Sequence, residues 1–386
     1  ENTVVRLTGL NIPGAEWTGT PGVERITRST KEAIENWDAN LIRLPVSVSG
    51  WYGSYSYVND GGKSYRNYID SVISMVSEAG KYVVLDLHHY KCFDNPQYLT
   101  FWQEAAAKYA NNPTVLFGIL NEPHSVSWDV WRNGNGSNIT GHQQVVEMIR
   151  DLGAKNIIIA AGLDWGYSLS GIGGESNYDL VDQGTENNSA KTGNGIVYDT
   201  HIYPWKGRTA NWDASIGNAR KKYPVLIGEN GWDPDDPNMG NYAQGTSMWH
   251  DKWVPELFAW MNDEETYGNL ANWTGWCFHP TSSPKILGDA ANWKNDAVYS
   301  YPPTSFWGTY VKQQLHDDLG INLVKNKTVT SSGADDGYAA ANAVDDDYTT
   351  VWKSTAAGDK YIAVDLGEEY LINRWVVRHG GTKLAA

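Results

Sequence analysis

Apolar runs alternate along this chain with stretches of helical period, and the alternation predicts its architecture. Eight runs read as strands: residues 4–12, 40–46, 82–89, 114–122, 156–162, 195–203, 224–232 and 272–279. Between them, positions spaced three and four apart predict helices over 30–37, 65–80, 98–110, 143–152, 214–222 and 254–262, with a closing helix over 305–315. The fifth unit is the weakest, because 166–182 shows little helical period. The strands are continuous apolar runs rather than alternating ones, which suits a parallel sheet buried on both faces. Eight such strand–helix units predict an α/β fold, a (β/α)8 (TIM) barrel.

That fold would gather the polar residues that end each strand on one face, where such barrels carry their chemistry. They are Arg43, His88 and His89, Asn121 and Glu122, His201 and Tyr203, Glu229, and Trp276. The glutamates stand out. Residues 114–122 (TVLFGILNE) end in Asn121-Glu122, and residues 224–232 (PVLIGENGW) deliver Glu229 in the same way. Two carboxyl groups at the ends of separate strands are what a double-displacement glycosidase needs, one as acid/base and the other as nucleophile. Glu122 suits the first role and Glu229 the second. Arg43 and Tyr203 are placed to hold Glu229 ionised, and His201 to orient Glu122 or relay its protons. His88 or His89, with His88 favoured, would donate to a sugar hydroxyl, and Trp276 would lie under the sugar being cleaved. No third ligand at zinc spacing accompanies the two histidines, so no metal is expected in the active site.

Composition adds three points. The net charge of −15 and a pI near 5.0 argue against nucleic acid or anionic membrane as partners. The 19 Trp and 23 Tyr against 6 Phe favour rings with a polar edge, which stack on sugars while hydrogen-bonding their hydroxyls. The two cysteines, Cys92 and Cys277, are too few for a disulfide framework and are expected to be free. No run approaches the length of a membrane span. Glu1 is not an initiator methionine, so the numbering is expected to begin after a removed segment.

After Leu315 the pattern changes. Residues 316–322 read as a linker, and short β-like segments follow at 327–332, 361–366 and 372–378, split by Gly and Asp clusters. The expected division is a catalytic barrel over 1–316, a partial all-β segment over 317–382, and vector-derived residues at 383–386.

Several of these residues together resemble glycoside hydrolase family 5, the cellulase and mannanase family. The matching pieces are Gly9-Leu10-Asn11, Leu41-Ile42-Arg43, Asp86-Leu87-His88, Leu120-Asn121-Glu122-Pro123, His201-Ile202-Tyr203, Ile227-Gly228-Glu229 and Trp276. The resemblance implies that Arg43, His88, Asn121, Glu122, His201, Tyr203, Glu229 and Trp276 form the active site, with Asn121 on the sugar's 2-hydroxyl. The tail resembles the first half of a discoidin-like (factor 5/8 type C) carbohydrate-binding module, a jelly-roll. The match lies in Asn322-Leu323, Ala341-Asn342-Ala343-Val344-Asp345, Thr350-Val351-Trp352 and residues 361–367 (YIAVDLG). Such modules often hold a structural calcium, which here implies Asp345, Asp347 and Thr350 as ligands.

The expectation is therefore a secreted, retaining endo-β-1,4-glycanase of plant cell-wall polysaccharide that needs no cofactor for catalysis. The pairing of barrel and module tilts the backbone toward β-mannan, with an endo-β-1,4-glucanase as the alternative. The cut module further suggests attachment to a larger extracellular assembly. A protein of another class, a non-catalytic glycan binder using only the aromatic face, would have no need of two buried carboxylates.

Overall fold

A computed structural model describes residues 5–14, 23–55, 60–185, 188–233, 252–295, 297–317, 324–345, 350–354 and 358–367. The chain forms two compact units, Glu1–Asp318 and Leu319–Ala386.

The first unit is the expected barrel. Its strands are β1 (Thr8–Asn11), β2 (Leu41–Val46), β3 (Tyr82–Leu87), β4 (Val115–Gly118), β5 (Ile158–Ala161), β6 (Ile196–Ile202), β7 (Val225–Asn230) and β8 (Asn272–Gly275). Each pairs in parallel with its sequence neighbours, and β8 closes on β1 through the register Thr8↔Trp273. Gly9 must be a glycine, because a Cβ there would lie 1.7 Å from the Leu41 carbonyl oxygen across the β1–β2 ladder.

Period-2 alternation sorts each strand's side chains into two sets. Leu41, Val84, Leu116, Ile159 and Leu226, from five different strands, pack together as an inner layer. Their neighbours Ile42, Val83, Leu85, Phe117, Ile158 and Ile227 join the larger core formed with the helices. Two residues further along β2 and β3, the inner positions hold Arg43 and Asp86, both buried. The barrel interior thus turns from apolar to charged toward the C-terminal ends of its strands.

Among the described residues, seven longer helices surround the barrel: Val23–Glu35, Lys63–Glu78, Pro96–Tyr109, His142–Asp151, Thr209–Lys222, Trp253–Met261 and Trp307–Asp317. Asn95 caps the third by accepting from the Gln97 amide at 3.0 Å, with Pro96 pre-set for the first turn. Between β5 and β6 the described residues form no helix, as the weak fifth unit predicts. Polar ties hold that stretch instead. The Asp179 carboxylate accepts from the Gly173 amide (2.7 Å), Lys222 (2.6 Å) and the Tyr223 hydroxyl (2.5 Å). Asp151 accepts from the Thr185 hydroxyl (2.8 Å) and Lys191 (3.0 Å), anchoring the hairpin of Gln183–Gly184 with Asn188–Thr192.

In the second unit, β9 (Thr328–Ser331) pairs antiparallel with β10 (Ile362–Asp365). Val344 is buried, and the Trp352 indole donates to the Gly333 carbonyl at 3.1 Å. The expected strand over 372–378 and residues 383–386 lie outside the described residues.

Candidate active site

The polar inner positions meet at the C-terminal mouth of the barrel. Arg43 on β2 is 1 % exposed and holds four partners. Its Nη1 donates to Glu229 Oε1 and to Asn11 Oδ1, both at 2.9 Å. Its Nη2 donates to Asn121 Oδ1 at 2.6 Å and lies 3.1 Å from Asp86 Oδ2. Burial disfavours the guanidinium's charge, but Asp86, Glu229 and Asp199 outweigh it and raise its pKa. The Tyr203 hydroxyl donates to the other oxygen, Glu229 Oε2, at 2.8 Å. Burial, with the nearby charges of Glu229 and Glu122, pushes the phenol well above its ordinary range, so it remains a donor. Both oxygens of Glu229 therefore accept from buried donors.

Glu122 lies beyond the β4 ladder, which ends at Gly118. Beyond it the Asn121 amide donates to the Leu87 carbonyl (3.0 Å) and the Glu122 amide to the His89 carbonyl (3.2 Å). Glu122 Oε1 lies 2.9 Å from His201 Nδ1. One oxygen of Glu122, one of Glu229 and a His201 ring nitrogen all lie within 4.8 Å of one another. That closeness matches the spacing of about 5–5.5 Å between the carboxyl groups of retaining glycosidases.

His201 is buried among carboxylates. Burial opposes its charge, but the nearby carboxylates of Glu229, Asp199 and Glu122 push its pKa up to about 10. A ring that keeps both protons near neutral pH offers no lone pair, so the trio is a poor divalent-metal site despite its convergence. A group raised from about 6.5 to about 10 contributes stability fully present below pH 6.5 and lost as pH climbs toward 10. In urea titrations, His201→Gln should therefore show a shallower loss of unfolding free energy between pH 7 and 10 than the parent protein. An equally steep loss in the variant would contradict this electrostatic assignment.

The remaining expected residues also converge here. His88 Nδ1 bonds Asp86 Oδ2 at 2.7 Å, and its ring lies parallel to that of Trp276, with centroids 5.8 Å apart. Trp276 follows β8, and its peptide bond to Cys277 is cis. Asn121 is buried, and its Nδ2 meets no hydrogen-bond partner within the protein. His89 is turned to other work: its Nε2 accepts from the Val48 amide at 3.1 Å, and burial lowers its pKa to about 4. Cys92 and Cys277 are both free and buried. In the second unit, Thr350 Oγ1 donates to Asp345 Oδ2 at 2.7 Å, while Asp347 lies outside the described residues. A carboxylate and a hydroxyl are oxygen donors of the kind calcium takes.

Three buried residues of the site escaped the sequence reading. Asp86 on β3 is held below the ordinary carboxylate range: burial would raise it, but Arg43 and His88 prevail. Asp199 on β6 lies 3.4 Å from His201 Nε2. Asn11 ties Arg43 to the Gly228 carbonyl, to which its Nδ2 donates at 2.9 Å. The two aspartates had a legible signal. Each interrupts an apolar run two residues before a histidine, in Asp86-Leu87-His88 and Asp199-Thr200-His201, a spacing that sends both side chains to one face of a strand. Around the site stand the exposed rings of Tyr90, Trp165 and Trp205. Trp165 stacks on His124 (3.6 Å between centroids) and Trp205 on Tyr203 (4.8 Å).

Comparison with known proteins places this arrangement. Residues 1–282 match the model of the cellulase family, glycosyl hydrolase family 5, and residues 342–385 match that of the NedA-like, galactose-binding domain. An endoglucanase of Microbulbifer sp. (strain ALW1) is 23% identical over 312 residues, covering 77% of this chain and 55% of the relative. Endoglucanase E-5 of Thermobifida fusca is 25% identical over 270 residues, covering 66% and 51%. The chain thus spans about half the length of these relatives. Among solved structures, a β-glucanase of Saccharophagus degradans in complex with cellotetraose superposes with a TM-score of 0.58 at 22% identity, covering 81% of this chain and 88% of that one. A barrel as the larger unit, the two carboxyl groups brought together at its mouth and a family model spanning most of the sequence agree: this chain belongs to glycosyl hydrolase family 5.

Proposed function

We propose that the barrel hydrolyses internal β-1,4 bonds of a glucan with retention of anomeric configuration. The observation that carries this reading is the pair of carboxyl groups within 4.8 Å of each other in contrasting settings, Glu229 gripped by Arg43 and Tyr203, Glu122 paired with His201. Glu229 attacks the anomeric carbon while Glu122 gives its proton to the departing oxygen, and a covalent glycosyl-enzyme forms. Glu122, now a carboxylate, takes a proton from water as the water displaces Glu229. The two carboxyl groups carry both steps without a cofactor. Arg43 and Tyr203 present the nucleophile as an anion in a fixed orientation. The unpartnered Asn121 Nδ2 is suited to a sugar hydroxyl beside the reacting carbon, and Trp276 to an apolar sugar face.

The relatives reported above are named endoglucanases, which supports glucan as the backbone. The β-mannan preference expected from domain pairing rests on that pairing alone. The second unit would hold the enzyme near glycan, with Asp345 and Thr350 as oxygen donors to a structural calcium. No helix among the described residues is long and apolar enough to cross a membrane. A polymeric substrate that cannot enter a cell favours an extracellular site of action.

Reducing-sugar release from carboxymethyl-cellulose, lichenan and galactomannan, measured side by side, tests the proposal. Release is expected from the two glucans in preference to galactomannan. Faster release from galactomannan would reverse the backbone assignment, and binding without release from any of the three would favour a non-catalytic glycan binder.

A further inference from the structure

We infer that Asp199 is a positioning residue that couples the two catalytic glutamates, holding His201 against Glu122 on one side and the backbone leading into Glu229 on the other. This rests on the roles assigned to those glutamates above.

The observation behind it is a break in the barrel ladder. Along β6 and β7, Thr200 pairs with Ile227 and His201 with Glu229, so Gly228 is skipped. A bulge of this kind re-aims the side chains that follow it and frees a backbone amide from the ladder. Here the Gly228 amide donates to Asp199 Oδ1 at 2.7 Å. Residue 228 has no room for a side chain: a Cβ there would lie 2.4 Å from that oxygen. The other oxygen, Asp199 Oδ2, lies 3.4 Å from His201 Nε2, an ionic contact rather than a directed hydrogen bond. A continuous path therefore runs from Glu122 through His201 and Asp199 to the residue before Glu229. Asp199 is itself 3 % exposed, so its charge acts with little screening.

Other charged groups also face His201. Glu122, beyond β4, lies at 2.9 Å and Glu229, on β7, at 3.7 Å, while Asp86 on β3 interacts electrostatically. Arg43 on β2 is already engaged by Asp86 and Glu229. Asp199, like Asp86, takes no part in bond making, so its place in the site is the same before and after each step. That constancy matters when Glu122 releases its proton. The new carboxylate then faces a charged imidazolium, whose Nδ1–H donates to it, and proton donation to the leaving group becomes easier. With Asp199 neutral, His201 would lose its charge at lower pH and that assistance would fade.

Asp199→Asn in the full chain tests the inference, because the amide oxygen can still accept from Gly228 while the charge is gone. kcat/KM is measured from pH 4.5 to 9 on cellotetraose and on dinitrophenyl β-cellobioside, whose leaving group needs little help from an acid. With cellotetraose the alkaline limb should move down by about one pH unit or more, with roughly a tenfold loss at pH 8. The loss on the activated substrate should be several-fold smaller. A superimposable pH profile, or equal losses on both substrates, would overturn the inference. Should the variant fail to fold, nitrogen-15 NMR of the histidine rings in the parent protein decides: a charged His201 ring at pH 8 supports the coupling, and a neutral ring at pH 7 overturns it. Parent protein that cleaves neither substrate would instead bring down the glycosidase reading itself.

Discussion

Glu229→Gln is expected to lower turnover by on the order of 10⁴-fold or more while leaving the fold and the affinity for glucan oligosaccharides intact. The amide has no free anion to form the glycosyl-enzyme, yet its size and its oxygen are kept. Arg43 is not left as an uncompensated buried charge, because Asp86 remains 3.1 Å away and Asn121 Oδ1 still accepts from it. The measurement is single-turnover hydrolysis of a cello-oligosaccharide beside calorimetric binding of the same ligand. Turnover within about tenfold of the parent would mean that the nucleophile lies elsewhere.

Glu122→Ala is expected to show a different signature. Loss of the acid/base should cost about 10²–10⁴-fold on an unactivated oligosaccharide and much less on a dinitrophenyl glycoside. The second step would then stall for want of a base, so a small anion such as azide should restore turnover by entering the vacated space. The product should be the β-glycosyl azide, formed by displacing Glu229 from the covalent intermediate with net retention. Recovery of the α-azide would signify a single displacement and would reverse the roles of the two glutamates.

Much of this molecule was legible because its strands are buried on both faces. That burial made them continuous apolar runs, and all eight lie where the runs are. Element ends were harder to place. The first helix begins at Val23 rather than near residue 30, because the face it buries early includes Ser29 and Thr30 with Ile26, and small hydroxyl residues do not register as apolar. The fifth long helix begins at Thr209 rather than residue 214, its buried Trp212 standing among polar neighbours. Glu122 and Glu229 were readable from their position after apolar runs. The bulge between β6 and β7 was not, since it shows only in how two distant strands align, and the role of Asp199 depends on that alignment. The rim rings lie on pieces too short for periodicity to mark which way a side chain faces: Tyr90 on the two-residue strand Tyr90–Lys91, Trp165 in a turn, and Trp205 in the single 3-10 turn Pro204–Lys206.

The stretch between β5 and β6 carries a last consequence. Where the other sectors are clad by greasy helices, this one is laced by the carboxylates Asp179 and Asp151. Burial works to raise Asp179, but Lys222, Tyr223 and the Gly173 amide prevail and hold it below its ordinary value. Bonds from Thr185 and Lys191 hold Asp151 low in the same way. Laces of this kind are tight above the unfolded carboxyl range, near pH 4, and slacken as acid protonates them. On acidification the wall should part at this seam before the apolar sectors yield, and amide exchange over residues 166–185 should quicken while that of β2 and β3 stays slow. The barrel would then wear out from one side, like a cask whose single laced stave gives before its hoops.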